Sequence, residues 1–334
     1  MDDRRFAHHS GENLPIGSSS DLLTVPSEQL PTLIRNAGEN AERRFVEFFT
    51  AHIRNPGTRQ VYAHAVGRFC QWCERHGVSL QQVTPFIVAG YVEQLTTSLS
   101  TPTVKLHLAA IRMLFDWLVT GQVVPVNPAA SVRGPKHVVR KGKTPVLSAA
   151  EARQLLDSID CTNIVGLRDR ALIGVMVYSF ARVSATIGMN VEDCFSQGRR
   201  MWFRLHEKGG KLHDVPAHHN AEAYVDAYLT AADIAGNTKS PLFRSVSRER
   251  KLTSRRMYRV DVLRMIKRRA RQAGLAAHAC CHTFRATGIT AYLQNGGSLE
   301  HAQRIAAHES VRTTKLYDRT SDAISLDEIE RIII

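Results

Sequence analysis

Long apolar runs are absent from this sequence. No stretch reaches the roughly 18 consecutive apolar residues that a membrane-spanning helix needs, although 43% of the residues are hydrophobic. The opening residues, Met-Asp-Asp-Arg-Arg-Phe-Ala-His-His-Ser, lack the apolar core of a secretory signal. We therefore expect neither a membrane protein nor a secreted one, and we predict a cytoplasmic location.

Cysteine is scarce, with six residues in 334, and in the cytoplasm these thiols are expected to be reduced. Cys70 and Cys73 lie on the apolar stripe of a predicted helix without a second Cys-x-x-Cys pair, so we assign them to the core. His278 and His282 have a spacing that puts both imidazoles on one helix face, but the two adjacent cysteines between them do not have a usual ligand spacing. We predict no metal site and no cofactor.

Acidic residues are fewer than basic ones in this sequence. There are 31 Asp and Glu against 44 Lys and Arg, which gives a formal net charge of +13 and a pI of about 9.8. A balance this basic indicates a polyanionic partner, either DNA, RNA or an acidic membrane surface.

Helical periodicity begins near Asn40 and continues, in four segments, as far as Leu118. The fourth segment starts at Thr101-Pro102, a capping residue followed by a proline in the first helical turn. Four helices of this length predict a small all-α domain. We predict that its polar faces contact phosphate through Arg59, Lys105, Arg112 and His107.

Residues 132–144 contain five cations, one proline and two glycines. This composition predicts an extended basic linker, and a solvated loop without a ligand is the alternative. The net charge of the chain favours DNA contact. We assign this contact to Lys136, Arg140, Lys141 and Lys143.

A second domain begins at Ser148, where Ser-Ala-Ala-Glu forms a capping box before a helix. Residues 201–206 alternate in polarity, 207–210 predict a turn and 211–216 a return strand, so we expect a β-hairpin. Residues 254–273 are rich in Arg and Lys and are predicted to be helical. The expected fold is mainly α, with an α+β second domain that carries a small β-hairpin sheet.

These patterns divide the chain into five parts. We predict a mobile arm over residues 1–38, a helical DNA-binding domain over 39–130, a basic linker over 131–146, a catalytic domain over 147–322 and a tail over 323–334.

The stretch from Cys281 to Arg319 carries the chemistry. His282 and Arg285 lie three residues apart, so on a helix they share a face. His308 follows a helical run, and Tyr317 lies nine residues beyond it. A phenol with a pKa of about 10 is a poor nucleophile at neutral pH. It needs a base or a cationic pocket, and both are present in this set.

Five short motifs occur in the order of a known family: Phe-Ala-Arg-Val-Ser at 180–184, His-Glu-Lys-Gly-Gly-Lys at 206–211, His-Thr-Phe-Arg at 282–285, Ala-Ala-His-Glu-Ser at 306–310 and Thr-Thr-Lys-Leu-Tyr at 313–317. Over roughly residues 40 to 320 the chain resembles the tyrosine recombinases, or phage-type integrases. The resemblance implies a SAM-like core-binding domain before the catalytic domain. It also implies a site-specific enzyme that breaks and rejoins double-stranded DNA.

The resemblance assigns a role to each matching residue. Tyr317 is the nucleophile, which forms a 3′-phosphotyrosyl link without metal or ATP. Arg182 and Arg285 clamp the non-bridging phosphate oxygens, which planar guanidiniums do better than lysine. Lys208 protonates the leaving oxygen, with Lys211 as the alternative. The remaining two, His282 and His308, donate to phosphate oxygens.

The chain departs from the family at Ala185, where an acidic residue usually follows the first arginine by three positions. Glu192, Asp193 or another group replaces that acid, or the site is looser than usual. Recombination joins two duplexes, so we expect a homotetramer on DNA and a monomer off it. The apolar tail residues Leu326, Ile329, Ile332 and Ile333 dock on a neighbouring subunit or fold back on their own.

Two other functions remain open from the sequence. A type IB topoisomerase-like enzyme would use the same tyrosine chemistry on a single duplex. A DNA-binding protein that has kept the fold without the activity is the second alternative, and the intact set of six site residues argues against it.

Overall fold

The computed structural model describes residues 30–137, 142–207, 209–275, 279–318 and 329–330. The chain divides into two compact units, and the division lies inside the predicted linker. None of the helices in these ranges combines the length and the apolar character that spanning a bilayer requires.

Over residues 30–137, the secondary structure of the N-terminal unit is entirely helical. Its helices are α1 (Thr32–Arg35), α2 (Glu39–Glu47), α3 (Pro56–Arg75), α4 (Pro85–Ser98) and α5 (Thr101–Thr120), with a π-helical turn at Phe48–His52 after α2.

Side-chain caps and prolines set where these helices start. Thr58 N donates to Asn55 Oδ1 at 3.1 Å before α3, and Pro56 occupies the first helical turn, where a missing N–H costs nothing. Thr84 and Pro85 start α4 in the same way. Prolines at these positions break the chain into separate helices that pack on one another.

The core of this unit buries the apolar stripes of the helices, including Phe69, Ile111 and Phe115. Cys70 and Cys73 are fully buried there, as predicted, and burial raises the pKa of both thiols, that of Cys73 to about 12. They remain protonated and act as small apolar side chains.

The residues at the end of the predicted arm belong to this core. Leu30, Leu33 and Ile34 are buried against the other helices. Residues 1–29 of the predicted arm lie outside the described residues, and the other predicted domain limits stay predictions.

The C-terminal unit is mixed. Its helices are α6 (Ala149–Asp157), α7 (Ile164–Tyr178), α8 (Val183–Gly188), α9 (His219–Ala232), α10 (Arg259–Gln272), α11 (Cys281–Gln294), α12 (Leu299–Ile305) and α13 (Val311–Lys315). Its strands are β1 (Cys194–Gln197), β2 (Arg200–His206), β3 (Leu212–Pro216), β4 (Arg244–Val246) and β5 (Leu252–Arg256).

Helix α7 lies at the centre of this unit. Nearly all of its residues from Ala171 to Val177 are buried, and it packs against α9 and α11. The predicted capping box before α6 is confirmed, because Ser148 N donates to Glu151 Oε2 at 2.7 Å and Glu151 N to Ser148 Oγ at 3.2 Å.

The predicted hairpin is confirmed as β2 and β3, which pair from Trp202 and Pro216 to His206 and Leu212. Strand β1 adds an antiparallel third strand on the other side of β2. The mainly α fold with a small sheet is therefore confirmed.

One helix prediction was wrong at its start. Residues 254–256 belong to β5, which pairs with β4 in a separate two-stranded sheet, and α10 begins at Arg259. The cations of this segment suit a solvated helix and an exposed strand equally well, so composition did not separate the two.

The predicted phosphate contact of His107 was also wrong. His107 is 2% exposed, and its Nδ1 lies 3.3 Å from the hydroxyl of Tyr91, inside the N-terminal core. Helical spacing placed it close to the polar face, but the turn of α5 directs it inward.

We expect His107 to make folding sensitive to acid. Burial, and then the positive charges of Arg68 and His64, lower the pKa of His107 from 6.5 to about 4. The unfolded chain takes up this proton at a higher pH than the folded one, so stability is lost as the pH falls from 6.5 toward 4, by at most about 1.4 kcal/mol per pH unit. His107→Asn should therefore show a smaller drop in the free energy of unfolding between about pH 7 and about pH 5 in urea titrations.

The exposed His301 provides the control, since His301→Asn should keep the wild-type pH dependence. An unchanged pH dependence in His107→Asn would show that folding does not alter the pKa of His107.

Candidate active site

Arg285 is a deeply buried arginine in the second turn of α11, with 2% of its surface exposed. Its Nη1 donates to the carbonyl of Phe180, and its Nη2 donates to Ala306 O at 2.5 Å. Phe180 lies two residues before Arg182, and Ala306 lies two residues before His308. One guanidinium therefore holds together three segments that are far apart in sequence.

The backbone is left-handed at Phe180, in the turn after α7, and at Ala307, in the turn after α12. Phe180 has a φ of 54° and Ala307 a φ of 47°, a conformation that costs a non-glycine residue on the order of 1–2 kcal/mol. The Phe180 ring is buried in a small cluster with Ile289 and Ala306, which offsets that cost. The turn after α7 is thus shaped by packing and by the hydrogen bond from Arg285.

Arg182 comes directly before α8, and its Nη1 donates to the carboxylate of Glu207. Glu207 follows β2, and its backbone N donates to Lys211 O at 2.8 Å across the base of the hairpin. The Arg182 side chain is 31% exposed, whereas that of Glu207 is 4% exposed. The acid lies on the protein side of the guanidinium.

Glu207 is thus the group that accompanies Arg182 in place of an acid at position 185. The two named candidates are engaged elsewhere, since Glu192 pairs with Lys239 at 2.8 Å and Asp193 with His206 at 3.1 Å. The sequence analysis did not single out Glu207, although it lies within the His-Glu-Lys-Gly-Gly-Lys motif, directly before Lys208.

His308 and Tyr317 lie side by side. Their rings are nearly parallel, at an interplanar angle of 8°, and their centroids are 5.8 Å apart. His308 Nδ1 lies 2.9 Å from Thr314 Oγ1, which fixes the ring orientation. Thr290 Oγ1 donates to Tyr317 O at 2.9 Å and thereby ties the tyrosine backbone to α11.

The charges of this site act on one another. Burial, and then the charge of Arg182, lower the pKa of Arg285 to about 10, while Glu207 and Tyr317 act in the opposite direction. Burial, and then Arg285 and Arg182, lower the pKa of His308 to about 3. At neutral pH the guanidinium is therefore charged and the His308 imidazole neutral.

His282 lies in the first turn of α11 and is exposed to solvent. Partial desolvation, and then the charges of Arg285, Arg259 and Arg182, lower the pKa of His282. Arg259, at the start of α10, was not among the predicted site residues. Only the tertiary structure brings it near His282, since Tyr258-Arg259 matches no motif.

The DNA-contact candidates differ in what they touch. Arg59 donates from Nε and Nη2 to Ile53 O, at 3.1 and 2.9 Å. Arg112 Nε donates to Ala129 O at 3.0 Å. Both guanidiniums therefore stabilise nearby backbone segments. The other described candidates are exposed lysines: Lys105, Lys136 and Lys143.

Three predicted site residues lie outside the described residues, namely Lys208, Arg140 and Lys141, and so do the tail residues Leu326, Ile332 and Ile333. His301 and Arg304, both on α12, are exposed. Across the described ranges, no group of three or more His, Cys, Asp or Glu side chains is placed to hold a metal ion.

Comparison with protein families identifies the family of this chain. Residues 145–323 match the phage integrase family, and residues 44–122 match the phage integrase N-terminal SAM-like domain. The chain belongs to the phage integrase family. It is a tyrosine recombinase, an enzyme that breaks and rejoins DNA strands.

Individual relatives agree with this assignment. The tyrosine recombinase XerC of Escherichia coli O139:H28 is 28% identical to this recombinase over 265 residues, which make up 79% of this chain and 85% of the relative. XerC of Shigella flexneri matches to the same extent.

Solved structures share the fold. XerH site-specific recombinase, in a pre-cleavage complex with its difH substrate, aligns with a TM-score of 0.63 at 17% identity and covers 92% of this chain and 95% of that one. A lambda integrase dimer bound to a COC' core site aligns with a TM-score of 0.62 at 18% identity, over 85% and 79% of the two chains.

The recombinase depends on a close approach of α11 to α7, which Gly288 permits. A Cβ added to Gly288 would lie 2.0 Å from Val177 O and 2.8 Å from the Phe180 ring. Gly288→Ala should therefore push α11 outward, lower the free energy of unfolding by roughly 1–3 kcal/mol and lower catalytic activity with it. Urea unfolding measures the first effect.

Gly188, at the end of α8, is the matched control, because a Cβ there meets no atom within 4 Å. Gly188→Ala should be as stable as the wild type or slightly more so. Equal stability of the Gly288→Ala variant would show that α11 can move without cost.

Proposed function

We propose that this recombinase cleaves DNA at specific sites by attack of the Tyr317 hydroxyl on a backbone phosphate held by Arg182 and Arg285. The bond from the Tyr317 oxygen to phosphorus forms as the bond from phosphorus to the 5′ oxygen breaks. The products are a 3′-phosphotyrosyl link and a free 5′ hydroxyl. Attack by the 5′ hydroxyl of a second strand reverses these steps and reseals the DNA.

The observation that carries this proposal is the position of Tyr317 beside His308 and within the electrostatic reach of Arg285. These groups come from α11, from the turn after α12 and from the turn after α13. A lone tyrosine at a helix end is usually a packing residue. Here His308 and Arg285 accompany the phenol, and the charge of Arg182 acts on both of them. A positive site of this kind is what phosphoryl transfer requires.

Two protons move in the reaction. The phenol loses one, and His282 can accept it because its lowered pKa keeps the imidazole neutral near pH 7. His308, also neutral, can donate from Nε2 to a phosphate oxygen while Thr314 contacts its Nδ1. We assign protonation of the leaving 5′ oxygen to Lys208, on the basis of its position in the sequence motif.

No step needs ATP, because the phosphotyrosyl link retains the energy of the broken bond. The positive charge that metal ions supply in other phosphoryl-transfer enzymes comes here from Arg182 and Arg285. We therefore propose a reaction without metal or other cofactor.

The proposed partner is double-stranded DNA. The XerH and lambda integrase structures that share this fold contain DNA substrates, and the net charge of +13 suits a polyanion. We assign contacts with the DNA backbone to the seven predicted DNA-contact residues that remain after the exclusion of His107, of which Lys105, Lys136 and Lys143 are exposed. Exchange between two duplexes involves four strands, so we propose a homotetramer on DNA; the monomeric state off DNA and the cytoplasmic location stay predictions.

Covalent capture tests the nucleophile. Wild-type protein is incubated with a pool of nicked duplexes of randomised sequence, in which loss of a short 5′ fragment prevents resealing. A denaturing gel should reveal a protein–DNA adduct, and sequencing of the recovered strands then gives the site. Tyr317→Phe should still bind that duplex but form no adduct, because it lacks the attacking oxygen.

Tyr292→Phe is the matched control, since Tyr292 packs against the same small cluster on α11. It should form adduct at close to the wild-type rate. An adduct that survives in Tyr317→Phe moves the nucleophile elsewhere, and supercoil relaxation without joined duplexes would favour the topoisomerase-like function.

Chelation tests the absence of a metal requirement. Adduct formation on the recovered duplex should proceed at an unchanged rate in excess EDTA, since arginines hold the phosphate. Loss of activity in EDTA, with recovery on addition of Mg²⁺ or Zn²⁺, would require a metal mechanism.

A further inference from the structure

Position 185 lacks the acid that the recombinase motif leads one to expect. Ala185 lies on α8, three residues after Arg182, and is 1% exposed. Its methyl group is packed in the core of the unit and offers no charge to a guanidinium. Arg182, which the proposed function makes a phosphate ligand, must therefore be oriented by another part of the chain.

Glu207 meets this requirement. Its carboxylate accepts a hydrogen bond from Arg182 Nη1, and the two residues are 25 positions apart in sequence. A buried carboxylate without a partner is strongly unfavourable, so Glu207 depends on Arg182 as its ion-pair partner. The charge of Glu207 also reaches Arg285, the second proposed phosphate ligand.

The exposed fractions of the two side chains separate two interpretations of this ion pair. In the first, Glu207 occupies the phosphate position until DNA binds. In the second, Glu207 orients the arginine and leaves the phosphate position open. The Arg182 side chain is 31% exposed and that of Glu207 4%, so solvent, and hence a phosphate, reaches the arginine while the carboxylate stays buried. The contact also uses only Nη1, one of the terminal nitrogens of a guanidinium that has five N–H donors.

We propose that Glu207 is the positioning residue for Arg182, so that the acid of this site has moved from α8 to the end of β2. This inference rests on the proposed function. Glu207 connects Arg182 to the β2–β3 hairpin, because it belongs to the base of this hairpin and directly precedes Lys208. An acid on α8 would not provide that connection.

A further contact holds this hairpin on the site. His213, on β3, has its Nε2 3.1 Å from the carbonyl of Ile305, at the end of α12 and three residues before His308. The ion pair of Glu207 and the contact of His213 thus connect the hairpin to the residue before α8 and to the end of α12. The contact that orients Arg182 therefore also helps to hold the hairpin in place.

A double-mutant cycle tests the proposal, with the nicked duplex recovered by wild-type protein as the probe. Glu207→Gln keeps the shape of the side chain but removes its charge. It should lower the single-turnover rate of adduct formation by about tenfold to a hundredfold, as loss of a ligand's supporting partner does elsewhere. Binding of the duplex should change by less than about threefold, because Arg182 remains present to contact phosphate.

The same change is then made in an Arg182→Lys background. Because Glu207 acts through the guanidinium, Glu207→Gln should slow this variant by less than about threefold. A merely structural defect would slow both backgrounds equally. Should Glu207→Gln fail to fold, Glu207→Asp, which keeps the charge but withdraws it by one methylene, is taken through the same cycle.

Asp214 provides the matched control. It forms an ion pair with Arg204 at 3.0 Å within the same sheet, but both side chains are well exposed. Asp214→Asn should leave adduct formation at the wild-type rate.

The proposal is overturned if the change at Glu207 slows adduct formation equally in both backgrounds, or if the rate does not change. A faster rate or tighter binding would show that Glu207 occupies the phosphate position. Absence of an adduct with wild-type protein would instead overturn the proposed function and this inference together.

Discussion

The buried guanidinium of Arg285 joins the parts of this site. Its two backbone acceptors, Phe180 and Ala306, lie in the turns that precede Arg182 and His308. A permanent charge in a protein interior is stable only when its donors are satisfied, so these turns are bound to the guanidinium. The arrangement of the two motifs follows from that requirement, and the left-handed backbone at Phe180 and Ala307 is part of how the carbonyls reach it.

The electrostatics of the site follow from the same burial. Burial disfavours protonation of His282 and His308, and the positive charges of the two guanidiniums add to this effect, so the pKa of both imidazoles is lowered. Glu207 offsets part of the charge from the protein side. The result is a pocket suited to a phosphate, with neutral imidazoles available to donate hydrogen bonds or to accept a proton.

Local sequence predicted local structure well. The capping box at Ser148 and Glu151, the proline in the first turn of α5 and the β2–β3 hairpin all depend on residues close together in the chain. Prediction failed where a partner is distant or where a pattern is ambiguous. Residues 252–256 form a strand because residues 244–246 pair with them, and the cations of the segment carry no sign of that pairing.

The sequence by itself determined the chemistry of this protein: which residue types are present, and that His282 and Arg285 share a turn of helix while Tyr317 follows His308 within a short segment. These relations depend on helical spacing, which any copy of the chain must obey. Tertiary structure alone decided that His107 is buried, that Arg259 lies near His282 and that Glu207 pairs with Arg182. Glu207 and Arg182 are far apart in the chain, so their ion pair forms only when β2 and α8 pack together. No local sequence pattern indicates which acid this packing places beside Arg182.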